Sequence, residues 1–397
     1  MTMRVVQSRS GRFAIGRWLC TGATILGVGL SLALASSAAA EVDRSRVRPE
    51  MQELYGAIRV LLPLSVDETR FRSPSERKRI RKALSTLAER ADRVSAHAGD
   101  HDRRIHYLGA SLARESRETL ERFDAGQLDG ARFFALQLSE FCVACHDRLP
   151  STEDSPLARG FVSQEQLEGL PVDQRARLQV ATRRFDDALT SFESLFAQPT
   201  IHPAELLDAL TEYLTVSIRV KRDIARPIPV LRRFAARADL WTNLRSDVER
   251  WIQALEHYSA DPPGKPSLAS ARVILEEADS VARYPSDRRP LVHYLIASSQ
   301  LNRFLEEHDA EGGRDVAEAY YWLGLIASRT EFDYFVSEGD FYLETAIRTA
   351  PRDPIAKQAF LLLEEETVLG WTGSGGSHMP ADVRENLEAL RQLVYPD

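Results

Sequence analysis

Apolar side chains recur every three or four positions along most of this chain, and hardly any stretch alternates apolar with polar. That is the period of helices with one buried stripe, so the pattern predicts an all-α protein. Met51, Leu54, Tyr55, Ile58, Leu61 and Leu62 mark a first helix, with Pro49 in its first turn and its end around Pro63. Ser73-Pro74-Ser75-Glu76 has the form of a capping box, and Ile80, Leu84, Leu87, Ala91 and Val94 follow it on one stripe up to Gly99. Ile105, Leu108, Leu112 and Phe123 give a third helix closing at Gly126, and Phe134, Leu138, Phe141 and Cys145 a fourth halting at Pro150. Four helices with short connections pack most simply up-down-up-down. This topology gathers four segments at one end: those holding Met51, His97, His101 with His106, and residues 142 to 146.

Beyond Pro150 the polar run Ser151-Thr152-Glu153-Asp154-Ser155-Pro156 reads as a linker. Amphipathic segments follow at about 176–197, 203–225, 228–257, 268–284 and 288–308, read as paired antiparallel helices. Ala319-Tyr320-Tyr321-Trp322-Leu323-Gly324, with Gly324 suited to a close helix contact, and Ala346-Ile347-Arg348-Thr349-Ala350-Pro351 resemble the two helices of a tetratricopeptide repeat in degenerate form. The resemblance implies a helical-hairpin domain over 151–397 whose concave surface binds a protein or peptide; packing alone also accounts for these residues. Thr372 to Met379 reads as a flexible loop before a last helix at about 381–394.

The N-terminus changes the picture. Arg4, Arg9, Arg12 and Arg17 precede an apolar run from Trp18 to Ala35, and Ala38-Ala39-Ala40 offers a small-residue cleavage site before Glu41. Residues 1–40 therefore read as a secretory signal peptide, with an uncleaved signal anchor as the other reading. Its removal leaves 357 residues, enough for two domains, and takes the formal charge from −7 to −11, because the segment holds four arginines and no acid. Such acidity argues against nucleic acid as a partner and suits steering toward basic surfaces. No later segment is apolar for long enough to span a membrane.

The candidate chemistry lies in Phe141-Cys142-Val143-Ala144-Cys145-His146, because Cys-x-x-Cys-His is the attachment signature of c-type haem. Two thiols one helical turn apart can each form a thioether with a porphyrin vinyl group, and the adjacent histidine then falls under the iron. A buried or zinc-binding cysteine pair and a redox disulfide are the competing readings. Cysteine arithmetic bears on them. Of three cysteines Cys20 lies in the signal, leaving only Cys142 and Cys145, and thioethers to one haem account for both in an oxidising compartment. The expected cofactor is one covalent haem c, held by Cys142, Cys145 and His146.

With this motif near the end of the last of four helices, residues 45 to 150 resemble the c-prime-type cytochromes and their low-spin relatives. The resemblance implies a four-helix-bundle cytochrome domain over 41–150 and a helix-one residue over the distal face of the haem. By position that residue is Met51, either as a methionine ligand or as an apolar block that yields to nitric oxide or carbon monoxide. His101, His97 and His106 are the alternative distal ligands, and an open site is the remaining arrangement. The leading expectation is a periplasmic single-electron carrier, not an enzyme, that docks a redox protein. A gas-binding haem protein and a haem-containing assembly protein are the alternatives, with peroxidase-like activity a minor one.

Overall fold

The computed structural model describes residues 44–99, 103–146, 169–330, 338–374 and 376–396, all of which belong to one compact unit. The signal segment 1–40, His101 and the linker 151–156 lie outside the described residues. The described part is all-α apart from one pair of two-residue strands, as the apolar period predicts.

Four long helices surround the first apolar cluster: α1 (Arg44–Val66), α3 (Arg77–Ala98), α4 (Arg103–Asp124) and α5 (Leu128–His146), with a short α2 (Glu68–Phe71) between the first two. Their polar contacts fix the directions. Glu50, at the start of α1, pairs with Arg90 near the end of α3 at 3.1 Å, and Ser95 at that same end donates to the His106 carbonyl of α4 at 2.9 Å. At the opposite end Arg81 pairs with Asp124 at 2.9 Å, and Arg132 of α5 donates to the Ser65 carbonyl of α1 at 3.0 Å. Neighbouring long helices thus run antiparallel, and the start of α1, end of α3, start of α4 and end of α5 share one end. Gly109 permits the tightest approach, since a Cβ there would lie 2.9 Å from the Ser95 backbone nitrogen.

Two local expectations give way. Pro63 does not end α1; it sits in the last turn, where it costs one hydrogen bond to the carbonyl four residues back, and the helix runs to Val66. Pro49 likewise lies inside α1, whose first turn begins at Arg44. The capping box does not form. Glu76 occupies the N-cap of α3 with no side-chain cap bond; its carboxylate takes Arg70 at 3.0 Å and Arg79 at 2.7 Å, charged partners stronger than a backbone amide.

The second apolar cluster is built by α6 (Val172–Ala181), α7 (Phe185–Phe196), α8 (Leu207–Thr215), α9 (Pro227–Ala235), α10 (Thr242–Ala260), α11 (Leu268–Val281), α12 (Leu291–His308), α13 (Gly313–Thr330), α14 (Glu338–Thr349), α15 (Pro354–Gly370) and α16 (Ala381–Val394). Three segments expected as single helices are divided: 176–197 breaks at Thr182 to Arg184, 203–225 into a 3-10 turn, α8 and a π turn, and 228–257 between α9 and α10. The pieces of each bury into the same cluster, so the apolar period passes through the breaks unmarked. Helices α11 and α13 run parallel, tied by Arg272 to Glu318 and by Arg329 to Asp279. Gly324 meets Leu343 closely, since a Cβ at that position would lie 2.6 Å from it. The segment expected as a flexible loop forms a hairpin instead, β1 (Thr372–Gly373) against β2 (Gly376–Ser377), with Gly376 at φ +105°.

The second cluster touches the first at the motif-bearing end. Tyr107, near the start of α4, packs on both clusters with its ring 5.2 Å from that of Phe341 in α14, and Leu178 of α6 belongs to the first cluster.

Beside Phe341, burial pushes the Asp340 carboxyl up to about 6, helped by Glu366 and Glu344. A carboxyl whose folded pKa exceeds its unfolded value binds protons more tightly in the native state. It costs no stability below about pH 4, and the cost grows as pH rises to about 6 and then stays constant. Asp340→Asn is expected to raise stability at neutral pH by about 2 kcal/mol, with no gain at pH 4. Urea melts at the two pH values check this, and an equal gain at both would refute it.

Candidate haem-attachment site

Ala131, Ala135, Leu138, Cys142 and Cys145 fall at alternating four- and three-residue steps, which is one face of α5. Ala131, Ala135 and Leu138 are buried in the first cluster, and the half-buried cysteines continue the stripe on its margin. The two thiols are therefore one helical turn apart on the same face, the spacing that two thioethers require. Burial pushes the Cys142 thiol up to about 11. A disulfide oxidoreductase needs the opposite, a thiol lowered toward neutrality, so this site does not suit that alternative. Among the described residues no three His, Cys, Asp or Glu side chains are grouped to hold a metal ion.

His146 ends α5, and its Nδ1 is buried without a hydrogen-bond partner. Burial holds the imidazole down at about 4, the Arg183 guanidinium adds to this, and the Ala181 carbonyl opposes it. A buried ring nitrogen with no partner is costly if packing is its only purpose. A neutral imidazole is also the form that ligates iron. The residues thus fit a haem: a thiol pair at the right step and a neutral, incompletely satisfied histidine beside it.

Met51 lies on α1, half-buried against the same cluster as Cys142 and Cys145. One turn further on, burial raises the Tyr55 hydroxyl to about 12 while Arg59 and Arg184 oppose it, which places this part of α1 beside the residue following Arg183. Met51 is thus at the same end as His146. The other described histidines are less suited to face a haem. His97 is exposed in the last turn of α3, and His106 is exposed with its Nδ1 3.0 Å from the Ser95 hydroxyl. His101 lies outside the described residues.

The sequence pattern gave no sign that α6 would complete this end. Arg177 reaches Glu140 of α5 at 3.3 Å and Glu212 of α8 at 2.9 Å, and the carbonyl of Ala181 and the charge of Arg183 both act on His146. The break at Thr182-Arg183-Arg184 holds neither glycine nor proline, so no turn signal points to it. No helix among the described residues is long and apolar enough to cross a membrane. No family model matches the chain, and no curated protein or solved structure compared with it matches either.

Proposed function

We propose that this chain is an exported monohaem c-type cytochrome that exchanges single electrons with a periplasmic redox protein. The observation that carries the reading is the end of α5, where Cys142 and Cys145 share one face and His146, half-buried with its Nδ1 covered, is neutral and incompletely satisfied. Cys142 and Cys145 would hold the haem as thioethers, His146 would be the proximal iron ligand and Met51 the distal one, with His101 as the alternative. When bound, the haem supplies one-electron exchange between ferric and ferrous iron. The chain's own residues then set the axial field, the surrounding dielectric and the exclusion of water.

In this reading residues 1–40 direct export and are removed. Helices α1, α3, α4 and α5 are the four-helix cytochrome bundle of residues 41–150. Residues 151–397 are the helical-hairpin part, similar to tetratricopeptide repeats, on which a partner protein or peptide docks. The protein is a carrier rather than an enzyme, and its net negative charge favours a basic partner.

The visible spectrum of the periplasmic protein tests the axial assignment. A low-spin spectrum with a sulfur-to-iron charge-transfer band is expected, and Met51→Ala is expected to abolish that band. A high-spin spectrum that shifts readily with carbon monoxide would replace electron transfer by gas binding and leave Met51 as packing.

A further inference from the structure

Helix α15 is apolar on two sides. Ile355, Ala356, Ala359, Phe360 and Leu363 are buried where it packs on α13 and α14. Lys357, Leu361, Glu365, Val368 and Leu369 follow one another at steps of four, four, three and one, which is the opposite face. On it Leu361, Val368 and Leu369 are 56 %, 42 % and 63 % exposed. A helix apolar on both sides belongs between two packing partners, and among the described residues only one side is covered. Helix α16 keeps to the margin of the buried side, where Arg391 pairs with Glu364 and lies over the Phe360 ring. Six of the ten exposed large apolar side chains among the described residues fall between 361 and 395, so they mark this end of the second cluster rather than a scatter over the surface.

The charges on the open face indicate what covers it. Lys357 and Glu365 lie four residues to either side of Leu361, about 6 Å along the helix in each direction. Both are exposed, and among the described residues neither has an ion-pair partner; the Lys357 ammonium has only the Tyr395 ring, 5.5 Å away. A two-fold axis through Leu361 would bring a second α15 antiparallel to the first. Leucine would then meet leucine at the axis, and Lys357 of each copy would meet Glu365 of the other. The face is thus complementary to itself, which is the requirement for a contact between identical surfaces.

We propose that the outer face of α15 is the contact of a two-fold dimer of this chain, with Leu361 on the axis and Lys357 paired with Glu365 of the other copy on either side. Exposed parts of Leu361, Val368, Leu369 and Trp371 offer on the order of 400 Å² of apolar surface, which is the size of an interaction site. The charged rim brings it toward the roughly 800 Å² per partner of a standard interface. This face is remote in sequence from the Cys-x-x-Cys-His motif, and the dimer stands whether or not haem is bound.

Sedimentation velocity of the purified full chain tests this, with protein varied up to about 100 μM to cover micromolar association. The wild type is expected to pass from monomer to dimer over that range. All three substituted side chains are exposed, so the variants are expected to keep the wild-type circular dichroism. Leu361→Glu puts two carboxylates on the axis and is expected to abolish the dimer. Lys357→Glu and Glu365→Lys each set like charges opposite one another, and each is expected to raise the dissociation constant about tenfold. Combining Lys357→Glu with Glu365→Lys restores opposite charges and is expected to return the constant to within about threefold of the wild type. A wild type that stays monomeric at about 100 μM would overturn the dimer and leave the face to a partner other than this chain. A dimer that Leu361→Glu leaves intact would overturn it equally. A double charge variant no tighter than either single one would overturn the pairing of Lys357 with Glu365 about Leu361.

Discussion

Serine at both 142 and 145 is expected to abolish covalent haem completely, leaving a colourless chain on a haem-stained denaturing gel. In the proposed cytochrome each thiol would form its thioether by adding across a vinyl double bond, sulfur to one carbon and hydrogen to the other. A hydroxyl at the same position is too weak a nucleophile to do so. Each single variant keeps one thiol and is expected to retain haem on the gel through one thioether. Serine has a second effect, since both positions pack against the first apolar cluster and burying an unpaired hydroxyl there costs about 1–3 kcal/mol. Cys142→Ala with Cys145→Ala removes the attachment chemistry without adding a polar group, so the alanine pair separates lost chemistry from lost packing. A haem-stained band surviving in both double variants would show that the motif is not the attachment site.

Arg177→Met is expected to destabilise the fold by about 3 kcal/mol, although methionine fills most of the same volume. Arg177 lies between Glu140 on α5 and Glu212 on α8, and the three side chains are only 23 %, 11 % and 17 % exposed. Removing the guanidinium leaves two carboxylates facing one another in a site of lowered dielectric, and that repulsion dominates the loss. Glu140→Gln and Glu212→Gln combined with Arg177→Met are expected to restore most of the stability, because the cost comes from two carboxylates losing the cation they share rather than from a missing contact. Urea denaturation checks this: the midpoint should fall in the single variant with an unchanged slope, and recover in the triple variant. A single-variant loss below about 0.5 kcal/mol would mean that water screens the triad as it does a surface pair. Glu140 lies two residues before Cys142 on α5, the helix that carries the motif, so the same triad fixes where α6 meets that helix.

The sequence by itself determined the local features of this protein. The three-to-four-residue apolar period is a property of one helix face, and it specified an all-α chain, the end of α3 at Gly99 and of α4 at Gly126, and the last helix over 381–394. The Cys142, Cys145 and His146 spacing is equally local, since one helical turn separates the thiols whatever else the chain does. The tertiary structure alone decided the features in which distant residues compete. Glu76 leaves its cap for Arg70 and Arg79 because two charged donors outbid one amide. Continuous apolar period hides the break between α6 and α7, because both helices bury into one cluster. The environment of His146 depends on Ala181 and Arg183, more than thirty residues away in sequence, and no periodicity encodes which helix will cover which. Local rules set where the Cys-x-x-Cys-His motif stands; packing across the chain sets the field and the dielectric around it.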